Sequence, residues 1–180
     1  SSAGASSGSA GGPSGSSGGT GGTGGTGGGP GGVTGGVTGG PSAAGTGCQL
    51  SLVLTSQSPQ YANGDHPSFT VTAFNKGTAD CDVDLGPKSL VLNIYSGSDR
   101  VWSSADCASG GPDIRGIAPG TALNVPYTWD RIRSSAGCPA GAQLAKLGMY
   151  FGVVNLAAGT SPTAPAAESQ PKSFELKSGS

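Results

Sequence analysis

From Cys48 onward, apolar residues recur at every second position instead of at helical spacing, and this alternation limits the chain's folding choices more than anything else in it. Cys48, Leu50, Leu52 and Leu54 alternate with Gln49, Ser51, Val53 and Thr55. Phe69, Val71 and Ala73 repeat the pattern, as do Leu90, Leu92 and Ile94, and then Leu123, Val125, Tyr127 and Trp129. Cys81, Val83 and Leu85 face away from Asp80, Asp82 and Asp84. A period of two puts each series on one side of a strand. Met149 to Leu156 is apolar on both sides, as a central strand requires. Ser173 to Leu176 reads as a last strand that closes the sheet.

Turn chemistry separates these runs at Asn63-Gly64, Asn75-Lys76-Gly77, Ser96-Gly97-Ser98-Asp99 and Pro119-Gly120. No stretch sustains three helical turns, and Ala142 to Leu147 has room for one. Pro126 lacks an N–H, which places its strand at a sheet edge or beside a bulge. Residues 157–171 form a long loop with nothing reactive in it. Seven or eight short antiparallel strands over residues 48–180 indicate an all-β fold, an immunoglobulin-like β-sandwich.

Composition divides the chain at the same place. Residues 1–47 hold 22 of the 36 glycines and no charged or aromatic residue. All nine Lys and Arg, all ten Asp and Glu and all four cysteines lie beyond it. With Val33 and Val37 as its only large apolar residues, the first segment cannot offset the entropy of ordering its backbone. It is expected to be a disordered Gly/Ser/Thr-rich linker with a span on the order of 35–40 Å. Two readings fit a linker of that length: an export signal or membrane anchor has been removed from its front, or it is a bare tethering extension. No apolar run is long enough to span a membrane as a helix. The net charge of −1 and a sequence pI near 5.6 argue against nucleic acid as a partner.

Four cysteines allow three pairings. Cys48 and Cys81 are in register with the apolar faces of their strands, which favours a buried bridge between them. Cys107 and Cys138 lie in loops and form the second pair. Zinc would call for closely spaced Cys pairs, which are absent, and the single His66 does not supply them. Two bridges place the domain in an oxidising, extracytoplasmic space.

The order of elements carries a resemblance. Tyr61-Ala62-Asn63-Gly64-Asp65 precedes PSFTVTAFNKGTADCDVDL; Ser98-Asp99-Arg100-Val101-Trp102-Ser103-Ser104, Ile117-Ala118-Pro119-Gly120, Tyr127-Thr128-Trp129-Asp130 and Leu147-Gly148-Met149-Tyr150 follow. This is similar to bacterial immunoglobulin-like domains, and in particular resembles the BsuPI-type proteinase-inhibitor domain and related exported actinobacterial proteins. The resemblance implies an Ig-like fold at the cell envelope. The shared residues are structural, and they imply no transferable catalytic or reactive-loop residue.

Candidate chemistry is thin. His66 stands beside a turn, and no serine occupies a GxSxG elbow, so catalysis is not expected. Asp80, Asp82 and Asp84 share a strand face that reads as solvated and not as a calcium site. Trp129 continues an apolar face and is expected to be core; Trp102 could be exposed. Arg115, Arg131, Arg133 and Lys146 flank Cys107 and Cys138, and a bridge there would gather them as a basic, pre-organised surface for a protein partner. Arg131 or Arg133 would face a protease in such a surface. No cofactor or metal is expected, and the domain is expected to be monomeric. The reading is a non-catalytic envelope module for protein binding or structural display. The alternatives are a BsuPI-like protease inhibitor, acting through 107–120 or 130–148, and a carbohydrate-binding module built on Trp102.

Overall fold

A computed structural model describes residues 47–179. The linker expected at the front of the chain lies, but for Gly47, outside the described residues. The strands, in chain order, are β1 (Leu50–Ser56), β2 (Gln60–Tyr61), β3 (Ser68–Asn75), β4 (Cys81–Asp84), β5 (Leu90–Ser96), β6 (Asp99–Ser103), β7 (Ile114–Ile117), β8 (Ala122–Thr128), β9 (Gly148–Leu156), β10 (Ala167–Glu168) and β11 (Lys172–Leu176). No helix occurs among the described residues.

A three-stranded sheet, β1-β3-β8, packs against a longer one, β2-β11-β9-β5-β6, to which β10 adds at β9; β4 and β7 pair separately. The fold is therefore an all-β sandwich, with more strands than the alternation showed. Two of the additional strands, β2 and β10, are short pieces bounded by prolines. Pro59 interrupts the chain after β1, and Pro171 separates β10 from β11. Proline cannot donate to a ladder.

One pairing is parallel, against the expectation of antiparallel strands throughout: β2 runs alongside β11, with Gln60 opposite Glu175. Beyond Pro59 the chain has left the first sheet and joins the second. The Tyr61 hydroxyl holds this switch, meeting Ser56 Oγ at 2.7 Å, donating to the Ser68 carbonyl at 3.0 Å and accepting from Ser58 N–H at 3.1 Å. As a result β11 lies inside its sheet, between β2 and β9, and does not close it. Ala142 to Leu147 is also extended and not helical, and Leu144 bridges Ile132.

The alternating residues of both sheets meet in the core. Trp129 is fully buried, with its ring 5.7 Å from Tyr150 and 6.3 Å from Phe174, and Phe69 lies 5.1 Å from Phe174. Gly152 on β9 permits a close approach, because a Cβ there would come within 2.9 Å of the Leu54 side chain on β1. Pro126 sits on β8, the edge strand of the smaller sheet, opposite Thr70.

The aspartate row needs one correction. Asp80 is exposed and Asp82 partly so, but Asp84 is only 3% exposed. At the end of β4 the backbone turns at Gly86, and the carboxylate swings inward. It accepts from the Ser89 hydroxyl at 2.6 Å, Gly86 N–H at 2.8 Å and Asp113 N–H at 2.9 Å. The Ser89 hydrogen bond leads in holding its carboxyl below the ordinary 3.8, against the upward push of burial, with the two N–H groups assisting.

The 157–171 segment, expected to be all loop, contains β10 and also has a structural task. Thr163 and Ser161 hydroxyls accept from Asp82 N–H at 2.8 Å and Asp84 N–H at 2.9 Å, covering the outer edge of β4.

Candidate site at the clamped end of the sandwich

Two disulfides form, Cys48–Cys81 and Cys107–Cys138. The first pair is fully buried; both members of the second are exposed. The second bridge fastens the loop after β6 to the loop that follows Trp129.

That second loop is pinned in several places. The Trp129 indole N–H donates to the Ile132 carbonyl at 2.9 Å. Arg131 adopts a left-handed backbone, φ 67°, which costs a side-chain-bearing residue about 1–2 kcal/mol. Its side chain turns inward and its guanidinium donates to the Ala62 carbonyl at 2.5 Å. Two backbone bonds, Ala145 N–H to the Arg131 carbonyl at 2.7 Å and Arg133 N–H to the Gln143 carbonyl at 2.8 Å, zip the loop's two arms together.

The same loop covers β6. Ser134 N–H donates to the Val101 carbonyl, and Ser103 N–H donates to Ser134 Oγ, both at 3.0 Å. Ser134 Oγ in turn donates to Asp106 at 2.6 Å, and Arg100 donates to the same oxygen at 2.8 Å. Burial pushes the Asp106 carboxyl up, but the bonds from Arg100 and Ser134 and the charges of Arg100 and Lys88 outweigh it and hold it below its ordinary range. Arg133 pairs with Asp99 through both carboxylate oxygens, at 3.1 and 2.9 Å.

Between these arms lies a concavity of ≈ 780 Å³ whose walls include Trp102, Ile132, Arg133 and the Cys107–Cys138 bridge. On the other side of Trp102, a hollow of ≈ 320 Å³ is lined by His66, Ser104, Thr128 and Asp130. Trp102 is thus a half-buried ridge between two depressions, its ring 6.3 Å from that of Trp129. Ile132 remains 39% exposed at the rim.

The four cations expected to gather here do not. Arg115 sits on β7, pairs with Asp113 at 2.9 Å and lines a separate hollow with Leu123 and Pro126. Arg131 is only 4% exposed, because its guanidinium is committed to backbone carbonyls inside. It cannot face a protease. Lys146 is exposed but outside both hollows. Of the four only Arg133 lines the larger one, beside Arg100, and the two are matched by Asp99 and Asp106. The surface is therefore mixed and charge-paired, not basic.

Among the described residues no hydrogen bond joins the His66 ring to a serine or an acid, and no three His, Cys, Asp or Glu side chains converge as metal ligands. No described helix is long and apolar enough to cross a membrane. Sequence reasoning missed Asp99, Arg100, Asp106 and Ser134. Their only signal was position, on the hairpin and loop preceding Cys107 and beside Arg133.

No family model matches the chain, nor does any curated protein. The BsuPI-type resemblance therefore gains no family assignment. Similar solved structures include the CARDB domain of the PF1109 protein from Pyrococcus furiosus, solved with di-metal ions. It is 9% identical over 73% of this chain and 94% of that one, with a TM-score of 0.38. The sporulation control protein Spo0M from Bacillus subtilis is 11% identical over 71% of this chain and 49% of that one, TM-score 0.42. A β-glucosidase from Listeria innocua is 12% identical over 73% of this chain, TM-score 0.45, with the match spanning 16% of the enzyme. At these values the sandwich assignment rests on strand order and register.

Proposed function

We propose that this domain is a non-catalytic, extracytoplasmic protein-binding module, displayed on its glycine-rich linker at the cell envelope, and that its contact surface is the Cys107–Cys138 end. One observation carries the reading: Trp102 and Ile132 stand at a concavity whose walls are held by a covalent bridge and a knitted loop. A surface ordered before contact loses little entropy on binding. A partly exposed aromatic beside paired polar groups suits a protein contact with a central anchor and polar rim. The two disulfides support an oxidising environment.

A second reading has one observation in its favour. Ser135–Gln143 is exposed throughout yet tethered by Cys138. Such a segment has the form of a loop that occupies a protease cleft without being released after cleavage.

Photo-crosslinkers at Ile132 and Gln143, with exposed Ala122 at the far end of β8 as control, test the contact surface on envelope material. The purified crosslinked partner is then titrated against the wild type and Trp102→Ala. Crosslinks from Ile132 or Gln143, with affinity lowered at least tenfold in a variant that still unfolds cooperatively, are the expected result. Crosslinks from the control alone would remove this end as the contact surface. Titration of a serine-protease panel separates the inhibitor reading, which requires stoichiometric loss of protease activity with the domain intact.

A further inference from the structure

The sheet edges of this molecule are guarded unequally. β6 is covered by Ser134 and β4 by Ser161 and Thr163. β8 carries Pro126, and its pairing with β3, continued by Trp129 N–H to the Pro67 carbonyl, directs the backbone of even-numbered residues outward. The proline therefore removes a donor from the middle of that exposed edge. β2 has two residues, and β7 has four, next to the Arg115–Asp113 pair.

β1 carries none of these devices, although β10 of the facing sheet lies close to it. It is the other terminal strand of the three-stranded sheet, seven residues long, LSLVLTS, without charge or proline. Gln57 N–H to the Ser68 carbonyl and Lys76 N–H to the Gln49 carbonyl show that odd-numbered residues bond β3. The backbone groups of Leu50, Leu52 and Leu54 therefore point away from it, and among the described residues they make no hydrogen bond.

The outer face beside this edge is uncharged as well. Ser51, Val53 and Thr55 on β1 are followed by Ser68, Thr70, Thr72 and Phe74 on β3 and by Ala122, Asn124, Pro126 and Thr128 on β8. All the charged residues of the domain lie elsewhere.

We propose that β1 is a strand-addition edge, and that its occupant is β1 of a second copy of this chain, running antiparallel across a two-fold axis at Val53. The choice of a second copy follows from the strand's self-complementarity. In that register Leu52 exchanges backbone bonds with Leu54 of the other copy, and Leu50 with Ser56. Val53, 49% exposed, meets its own counterpart in a non-hydrogen-bonded pair, where side chains approach most closely. Ser51 meets Thr55, a hydroxyl pair of the kind that stabilises facing strands. Nothing charged opposes its own copy. The product is a six-stranded sheet, β8-β3-β1 continued by its two-fold image, and neither binding nor inhibition at the clamped end is needed for it. Because a single edge buries little area, the association is concentration-dependent and is favoured by display at high local density.

The test uses the full chain. Val53→Cys is compared with Thr72→Cys, its neighbour on β3 across the same face, for the rate of intermolecular disulfide formation under mild oxidation. Hydrogen exchange at Leu52 and Leu54 is followed in the wild type from micromolar to millimolar concentration. The expected result is at least tenfold faster crosslinking at position 53 and protection of both amides that rises with concentration. Val53→Lys, or Thr55→Lys if that variant folds poorly, abolishes the rise with Tm retained. Equal crosslinking rates together with concentration-independent exchange overturn the proposal. So does protection that is independent of concentration and disappears when residues 1–46 are deleted, since the occupant is then the chain's own tail.

Discussion

The two disulfides close loops of nearly equal size, with sequence separations of 33 and 31, yet they serve different ends of the molecule. Loop-closure entropy alone assigns each about 3.5–4 kcal/mol. Cys48–Cys81 is fully buried and joins the start of the first sheet to β4. Cys107–Cys138 is exposed and orders loops that carry little core. Each bridge is accompanied by a depressed carboxyl, Asp84 on the strand of Cys81 and Asp106 next to Cys107. The carboxylate at the buried end is satisfied by backbone N–H groups and a hydroxyl, and the one at the clamped end by a cation and a hydroxyl. Burial, and not loop length, decides that one bridge maintains the fold while the other shapes a surface.

That contrast breaks most visibly under deletion. Replacing Cys48 and Cys81 together by Ala is expected to cost more than about 4 kcal/mol, because two sulfur atoms leave a packed core in addition to the lost crosslink. Replacing Cys107 and Cys138 by Ser is expected to cost at least about 1 kcal/mol less, since no cavity forms. Chemical denaturation of both variants measures the difference, and equal losses would mean that loop entropy alone is at work. Mild reductant is expected to open Cys107–Cys138 first in the native protein, read by alkylation and peptide mapping.

A smaller effect separates strut from strain at the clamped end. Arg131→Ala leaves the Ala62 carbonyl without its guanidinium donor, and a loss of about 1–3 kcal/mol is expected. Arg131→Gly loses the same bond but relieves the left-handed backbone, so it is expected to be more stable than the alanine variant by about 1 kcal/mol. If alanine proves the more stable, the backbone at 131 carries no cost.

Acid gives the finest comparison. Asp84 and Asp106 have folded values below the ordinary 3.8. Their contribution is therefore complete well above that value and declines as pH falls through it toward the folded ones. Tm is expected to be flat above about pH 5 and to fall below it. Asp84→Asn and Asp106→Asn should each flatten the acid limb, and thermal scans across pH would show it. An unchanged slope in either variant would remove that carboxylate from the account.

At the alkaline end the Tyr127 hydroxyl, donating to the Leu90 carbonyl at 3.0 Å, is pushed up by burial to about 12. Spectrophotometric titration should find this phenol among the last to ionise. Stability should decline as pH rises from about 10 toward 12, because the unfolded chain ionises first.

Much of the fold was legible because burial of one strand face writes itself into alternate residues. Leu52, Leu54, Phe69, Val71, Leu90, Leu92, Ile94 and Trp129 are all buried, and Pro126 marked its edge through a missing donor. The site was less legible. Arg131 and Arg133 are two residues apart and chemically alike, yet one is a buried strut and the other a partly exposed ion-pair member. The left-handed turn at Arg131 separates them, and no local pattern announces such a turn at an arginine.

The linear chain by itself therefore determined the strand faces, the cysteine pairing that register favoured and the compositional break at residue 47, because period, cysteine register and composition are local quantities. Only the tertiary structure decided that Asp84 turns inward, that β2 crosses to lie parallel to β11, and that Arg133 in the wall of a groove pairs with Asp99, 34 residues away in the chain. Those outcomes depend on which backbone donors and carbonyls are left open once the sheets have packed, and that is known only when distant strands meet.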